Sequence, residues 1–237
     1  EDLMLFEVGP VFKGSKPGEQ LTMINAIKTG KYSRKNWIEK ERSFDVFDIK
    51  NDALRTLNEI GLNNLKIVVS NRTKKWYHPG RSGLLSLGST NGPELAYFGE
   101  IHPSIIKKLD LRTDNVLGFE VFLDNIPESR KKIREVKPQF IVSDYQKVVR
   151  DFAFVIDEKY KSSEIVNLVQ KVDKELIKNV KIFDVYQGGN IDSGKKSIAF
   201  SVTLEPKDKT LGENDIDQIS KKIISTVQES TGATLRS

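Results

Sequence analysis

Residues 150–157 read RDFAFVID, residues 180–186 read VKIFDVY and residues 197–204 read SIAFSVTL. Each run is short, rich in β-branched and aromatic residues, and alternates in character, which is the period of a half-buried strand. Around them lie two stretches of helical period. The spacing predicts a helix over about 162–178, with Ile165, Leu168, Val172 and Leu176 on one face. It predicts another over about 213–230, with Ile216, Ile219, Ile223 and Val227 on one face. The second set repeats the first at an offset of 51 residues. Thr210 and Glu213 are spaced as a capping box for the second helix, and Gly232 is its stop.

Two strand–helix–strand units laid end to end predict a split, ferredoxin-like βαββαβ sandwich. Alternation then assigns the faces of its sheet. Phe152, Phe154, Ile156, Ile198, Phe200, Val202 and Leu204 are expected under the helices. Asp151, Ala153, Val155, Ser197, Ala199, Ser201 and Thr203 are expected on the open face, with Phe183, between Lys181 and Val185, as its one aromatic. These central positions are too small for the base-stacking platform of an RNA-recognition motif. A face of Ser, Ala and Thr ringed by Arg150, Lys181, Lys196 and Arg236 suits a folded RNA loop, or else a covering protein domain.

The remaining sequence differs in kind. Leu3–Phe12 and Gln20–Lys28 read as two antiparallel strands around the turn cluster GSKPG, with Gly9-Pro10 interrupting the first. The charged run Lys31–Arg42 takes Trp37 as its anchor. Phe44–Leu62 carries apolar residues at 44, 47, 54, 57 and 60, close to a helical stripe that stops near Gly61. Leu65–Val69 reads as a buried strand, and Tyr77–Ser82 (YHPGRS) as a compact polar loop leading into Leu84–Leu87. Asn91-Gly92 marks a hairpin into Leu95–Phe98. Pro103 can open a helix through Leu109, and Val116–Leu123 is a further strand. Antiparallel pairs with few helices favour an α+β class. Glu128–Val136 (ESRKKIREV) reads as a solvated linker or surface helix, with a domain boundary near Pro138–Ser143.

Composition narrows the chemistry. The chain has no cysteine, which removes disulfides, thiolate metal sites and cysteine nucleophiles. His78 and His102 fall in no metal-spacing motif. No apolar run approaches the roughly 18 residues of a membrane span. The start, EDLMLFEVG, shows neither a signal-peptide pattern nor an initiator methionine, and a piece of a longer polypeptide is expected. The net charge of +5 points to an acidic partner, yet residues 143–237 hold 15 Lys/Arg against 15 Asp/Glu. The excess therefore sits in the first 142 residues.

Three apparent motifs carry less than they suggest. Gly189–Lys195 (GNIDSGK) matches most of a phosphate-binding loop, but Lys196 stands where a magnesium-holding Ser or Thr is required. The segment also joins two strands, so a hairpin turn is expected. His78 with Ser82 or Arg81 could form a base and its partner, but no nucleophile elbow surrounds Ser82. A structural loop with Arg81 paired locally is the plainer reading, and His102 is expected at a helix entry. The carboxylate pairs Asp144/Asp151 and Asp157/Glu158 sit in no setting that suggests a glycosidase-like acid–base pair.

Several segments resemble the ferredoxin-fold anticodon-binding domain of bacterial phenylalanyl-tRNA synthetase β subunits. They are Ser143-Asp144, Arg150–Val155 (RDFAFV), Phe183–Gly188 (FDVYQG), Lys195–Ala199 (KKSIA), Thr210-Leu211 and Gly232–Arg236 (GATLR). Leu5–Phe12 (LFEVGPVF), Tyr77–Ser82 and Phe98–Pro103 (FGEIHP) resemble the class II-like core of the same subunits. The resemblance implies an incomplete, non-catalytic class II synthetase-like antiparallel core at 1–137, a linker at 138–143 and the anticodon-binding sandwich at 144–237. It further implies an α-subunit partner, an (αβ)₂ assembly, tRNA(Phe) as ligand and a cytoplasmic location. ATP and magnesium belong to the whole enzyme, with no cofactor or metal site expected in this chain. The editing site of such subunits would lie upstream. Pro10 stands where an arginine frequently follows Glu-x-Gly, which fits a module without nucleotide chemistry. Arg150, Lys181, Phe183, Lys196 and Arg236 are the residues expected to contact tRNA. The rival expectation is a protein-interaction module whose sheet never meets RNA.

Overall fold

A computed structural model of the chain describes residues 2–62, 67–113, 115–127, 143–189 and 191–236. The chain divides into two compact units, Glu1–Glu135 and Val136–Ser237. The expected linker at Glu128–Val136, and most of the expected boundary, lie outside the described residues.

In the first unit, strands β1 (Leu3–Phe12) and β2 (Gln20–Thr29) form the expected hairpin. β1 runs unbroken through Gly9 and Pro10. It is an edge strand, where a missing N–H is tolerated. Short strands β3 (Lys31–Ser33) and β4 (Arg42–Ser43) pair beside it. Helix α1 spans Val46–Glu59. Strands β5 (Ile67–Ser70), β6 (Tyr77–Leu87), β7 (Glu94–Ile101) and β8 (Val116–Phe122) complete an antiparallel sheet of order β1-β2-β8-β7-β6-β5. Helix α2 (Pro103–Lys108) begins at His102, whose Nδ1 accepts from Ser104 N–H at 3.2 Å.

Three local expectations in this unit need correction. Trp37 is 93% exposed and anchors nothing within the described residues. The α1 stripe is Ile49, Ala53 and Leu57, at i, i+4 and i+8, while Phe47 is exposed. Asp45 sets that phase: its carboxylate accepts from Phe47 and Asp48 N–H, and Asp48 returns a bond from Asp45 N–H. The Tyr77–Ser82 loop is instead the first half of β6, with an irregular register between those two residues. Arg81 pairs with Glu100 on β7, and Ser82 Oγ donates to the His78 backbone oxygen at 2.6 Å. His78 Nδ1 accepts from Gly80 N–H at 3.1 Å, so no base–nucleophile pair forms.

The second unit runs β9 (Val148–Asp157), α3 (Ser162–Val172), β10 (Ile177–Tyr186), β11 (Lys195–Leu204), α4 (Glu213–Thr231) and β12 (Thr234–Leu235). The sheet order is β10-β11-β9-β12, antiparallel throughout, which is the ferredoxin-like order. Both helices lie against one face. There Phe154 stacks on Phe200, with ring centroids 5.8 Å apart and planes 9° apart. Ile165, Val169, Ile219, Ile223 and Val227 close over these rings. All seven residues assigned to the helix side are buried.

The two helices are less alike than their stripes. α3 stops at Val172 because the Asp173 carboxylate accepts from Glu175 and Leu176 N–H, at 3.0 and 2.9 Å. That turn competes with helix continuation and releases the chain into β10. Leu176 therefore packs from the turn rather than from the helix. α4 begins at Gly212, whose N–H donates to Asp215 Oδ2 at 3.1 Å, in place of the expected Thr210–Glu213 box. Gly232 ends α4 as expected, at φ +67° with its N–H on Gln228 O.

Candidate RNA interface

The strand registers fix what stands together on the open face, because residues directly opposite in an antiparallel pair share a side. One row across the sheet is Tyr186, Ser197, Val155 and Thr234. The next is Asp184, Ala199 and Ala153, continued by Arg236, whose N–H donates to Ala153 O at 2.8 Å. A third is Lys181, Ser201 and Asp151, in which Ser201 Oγ donates to Asp151 Oδ1 at 2.6 Å.

Small residues thus line the centre, as alternation predicts, but it is not bare. Ser197 is only 3% exposed, and Arg236 Nη1 donates to its Oγ at 3.4 Å. The guanidinium therefore crosses β9 to reach β11. On the opposite edge, β10 carries a bulge between Ile182 and Asp184. The bulge inserts Phe183 and reverses the alternation beyond it. Val185 then pairs with Ile198 on the helix side, and Tyr186 joins the open face. Phe183 is therefore not the sole aromatic there: Phe183 is 55% and Tyr186 44% exposed. The signal in the sequence is the break in period two at the adjacent apolar pair Ile182-Phe183.

The five residues expected to contact RNA do not form one group. Lys181 and Arg236 flank the open face from its two sides, with Phe183 at the bulge. Arg150 pairs with Val202, and Lys196 with Ile156, so both share the side that the helices cover. Lys196 Nζ donates to Glu158 O and Tyr160 O, at 3.1 and 2.6 Å. Among the described residues, Lys181, Asp184 and Arg150 form no side-chain hydrogen bond or ion pair. The described residues of the Gly189–Lys195 segment run from just past the end of β10 to the first residue of β11, with Lys195 on Asp192 at 2.9 Å.

This face can do a limited set of things. Exposed rings at one edge offer a stacking surface for an unpaired base. Asp184 offers acceptors beside those rings, and Lys181 and Arg236 can meet phosphates. Among the described residues, no group of His, Cys, Asp or Glu could hold a metal ion.

Comparison with known proteins agrees with this division. A profile of the ferredoxin-fold anticodon binding domain matches residues 143–236. A profile of the phenylalanyl tRNA synthetase beta chain CLM domain matches residues 1–123. The phenylalanine–tRNA ligase beta subunit of Paramagnetospirillum magneticum is 41% identical over 236 residues, 100% of this chain and 29% of that protein. That of Rhodospirillum rubrum is 41% identical over the same shares, and that of Rickettsia bellii 40% identical over 100% of this chain and 26% of its own. The chain thus spans under a third of the length of these relatives.

Proposed function

Because the chain belongs to the phenylalanyl-tRNA synthetase beta chain family, we propose that it is the tRNA-binding and subunit-assembly region of a phenylalanine–tRNA ligase. In this reading, residues 1–137 are a non-catalytic core, 138–143 a linker and 144–237 the anticodon-binding sandwich. The whole enzyme, with an α subunit in an (αβ)₂ assembly, uses ATP and magnesium to charge tRNA(Phe) in the cytoplasm. This chain supplies binding surface rather than catalytic groups.

The observation that carries the reading is the open face of the second sheet. An unpaired base stacks on Tyr186 or Phe183, with its hydrogen-bonding edge toward Asp184, while Lys181 and Arg236 meet the phosphates on either side. Arg150 and Lys196 fall outside this set. The test is the affinity of the chain for an RNA hairpin carrying the anticodon loop of tRNA(Phe). Base–aromatic stacking contributes about 1–3 kcal/mol per base, so Tyr186→Ala is expected to weaken binding about 5- to 150-fold. Unchanged affinity in both Tyr186→Ala and Phe183→Ala would overturn the reading.

Assembly has its own observation. β1 is the outermost strand of its sheet among the described residues, and it exposes Met4, Phe6, Val8 and Phe12. A long apolar edge strand is a template for pairing with another chain. Gel filtration with and without the α subunit separates this role from tRNA binding.

A further inference from the structure

Lys196 stands where a phosphate-binding loop requires Ser or Thr, and it belongs to the ring of cations expected to contact RNA. Its surroundings assign it another task. Lys196 faces the helix side beside buried Ile156. Its ammonium is spent on two backbone oxygens of the turn before α3, Glu158 O and Tyr160 O.

Glu158 is the centre of this arrangement. Its N–H donates to Gly194 O at 2.9 Å, its carbonyl accepts from Lys196, and its Oε1 accepts from Gln187 Nε2 at 3.0 Å. A single residue of the β9–α3 turn thereby holds the β10–β11 hairpin at three points, on both of its arms. Gln187 is the chain neighbour of Tyr186, and Lys196 is the neighbour of Ser197, which pairs with Tyr186. The hairpin also closes on the ring itself. At Gly189, where φ is +52°, an added Cβ would lie 2.9 Å from Tyr186 Oη.

We infer that Lys196 is a positioning residue for RNA binding: by clamping the hairpin to Glu158 and Tyr160 it fixes Tyr186 on the open face, without touching RNA. The inference rests on the open face being the RNA site. A positioned ring binds better because ordering cost is removed beforehand. A lysine on two carbonyls is also a charge-assisted clamp that apolar residues cannot replace.

The test is a double-mutant cycle on the full chain, using the anticodon-loop hairpin of tRNA(Phe) at several salt concentrations, with each variant held below its unfolding transition. Lys196→Met is expected to weaken binding about three- to tenfold, with the slope of log K against log salt unchanged, because no phosphate contact is lost. In the Tyr186→Ala background, Lys196→Met is expected to cost nothing further. Lys196→Arg, which keeps donors for both carbonyls, is expected to bind nearly as the parent does.

A slope flattened by about 0.7–0.9 would instead make Lys196 a phosphate contact and overturn the inference. Equal losses with and without Tyr186 would overturn it too, as would no loss at all; both leave the open-face reading intact. If Tyr186→Ala itself leaves affinity unchanged, that reading fails and this inference with it. Should Lys196→Met not fold, Gln187→Ala removes another arm of the same clamp, and the same pattern is expected at smaller size.

Discussion

Arg236 Nη1 sits 3.4 Å from Ser197 Oγ, so the side chain just past β12 spans β9 to reach β11 beyond it. Its backbone N–H is meanwhile held by Ala153 O. Among the described residues its guanidinium bonds only to Ser197, which leaves its other donors open at the edge opposite Phe183 and Tyr186. An arginine that crosses β9 to Ser197 from that edge leaves a positive charge on the open face.

Arg236→Gln follows from that position. It keeps a polar side chain at this position but removes the charge. If Arg236 meets a phosphate, the slope of log K against log salt for the RNA hairpin falls by about 0.7–0.9. Titration at three or more salt concentrations measures it. An unchanged slope would assign Arg236 to packing against Ser197 alone.

Gly189→Ala tests the hairpin from the folding side. Its φ of +52° is left-handed, and the new methyl would press on Tyr186 Oη. Left-handed backbone costs an L-residue about 1–2 kcal/mol, so a loss of that order in urea unfolding is expected. Adding Tyr186→Phe relieves the contact but leaves the backbone strain, and recovery should be partial. Full recovery would place all of the cost in the contact.

Much of this fold could be read in advance because strand alternation is a strong constraint. The buried set from Phe152 to Leu204 follows from period two alone, as does the small-residue centre around Ala153 and Ala199. What could not be read has a physical cause in each case. The bulge that brings Tyr186 to the open face is a register event between two strands, with only Ile182-Phe183 to hint at it. The end of α3 depends on Asp173 capturing two N–H groups, a local competition that an apolar stripe does not record. Trp37 and Phe47 are both exposed, because neither an apolar side chain nor a place in a helical stripe by itself buries a residue. Lys196 is a related case: its charge is visible in sequence, while the two carbonyls that its ammonium meets are not.

Phe154→Ala addresses the core beneath the site. Phe154 is buried and stacked on Phe200, which also meets Phe152 at a centroid distance of 5.8 Å. Truncating such a side chain typically costs about 3–5 kcal/mol. The second unit should therefore unfold at clearly lower urea, and RNA binding should fail in step with folding. Full affinity retained at a temperature where the second unit is unfolded would detach RNA binding from this sheet.

Glu120 yields a prediction about pH, since its carboxyl is half-buried on β8. Trp76 Nε1 and Tyr77 Oη both donate to its Oε1, at 2.6 and 3.3 Å. Burial raises its pKa above the ordinary glutamate value, and the two hydrogen bonds only partly oppose that shift. A raised carboxyl pKa means that the folded chain binds more protons than the unfolded chain between the two values. Stability from this group is then fully present below the unfolded pKa and declines as pH rises through the folded one. Asp48 and Asp215, lowered chiefly by hydrogen bonds from Arg42 and Lys209 respectively, act in the opposite sense. The total profile would therefore hide Glu120, and the informative quantity is a difference. Glu120→Gln keeps an acceptor for Trp76 and Tyr77 and removes the titration. Relative to the parent, the variant is expected to gain stability as pH rises from about 4 to 7. Urea unfolding followed by tryptophan fluorescence at each pH measures that difference. A difference that stays flat, or runs the other way, would mean that the two donors outweigh burial at Glu120.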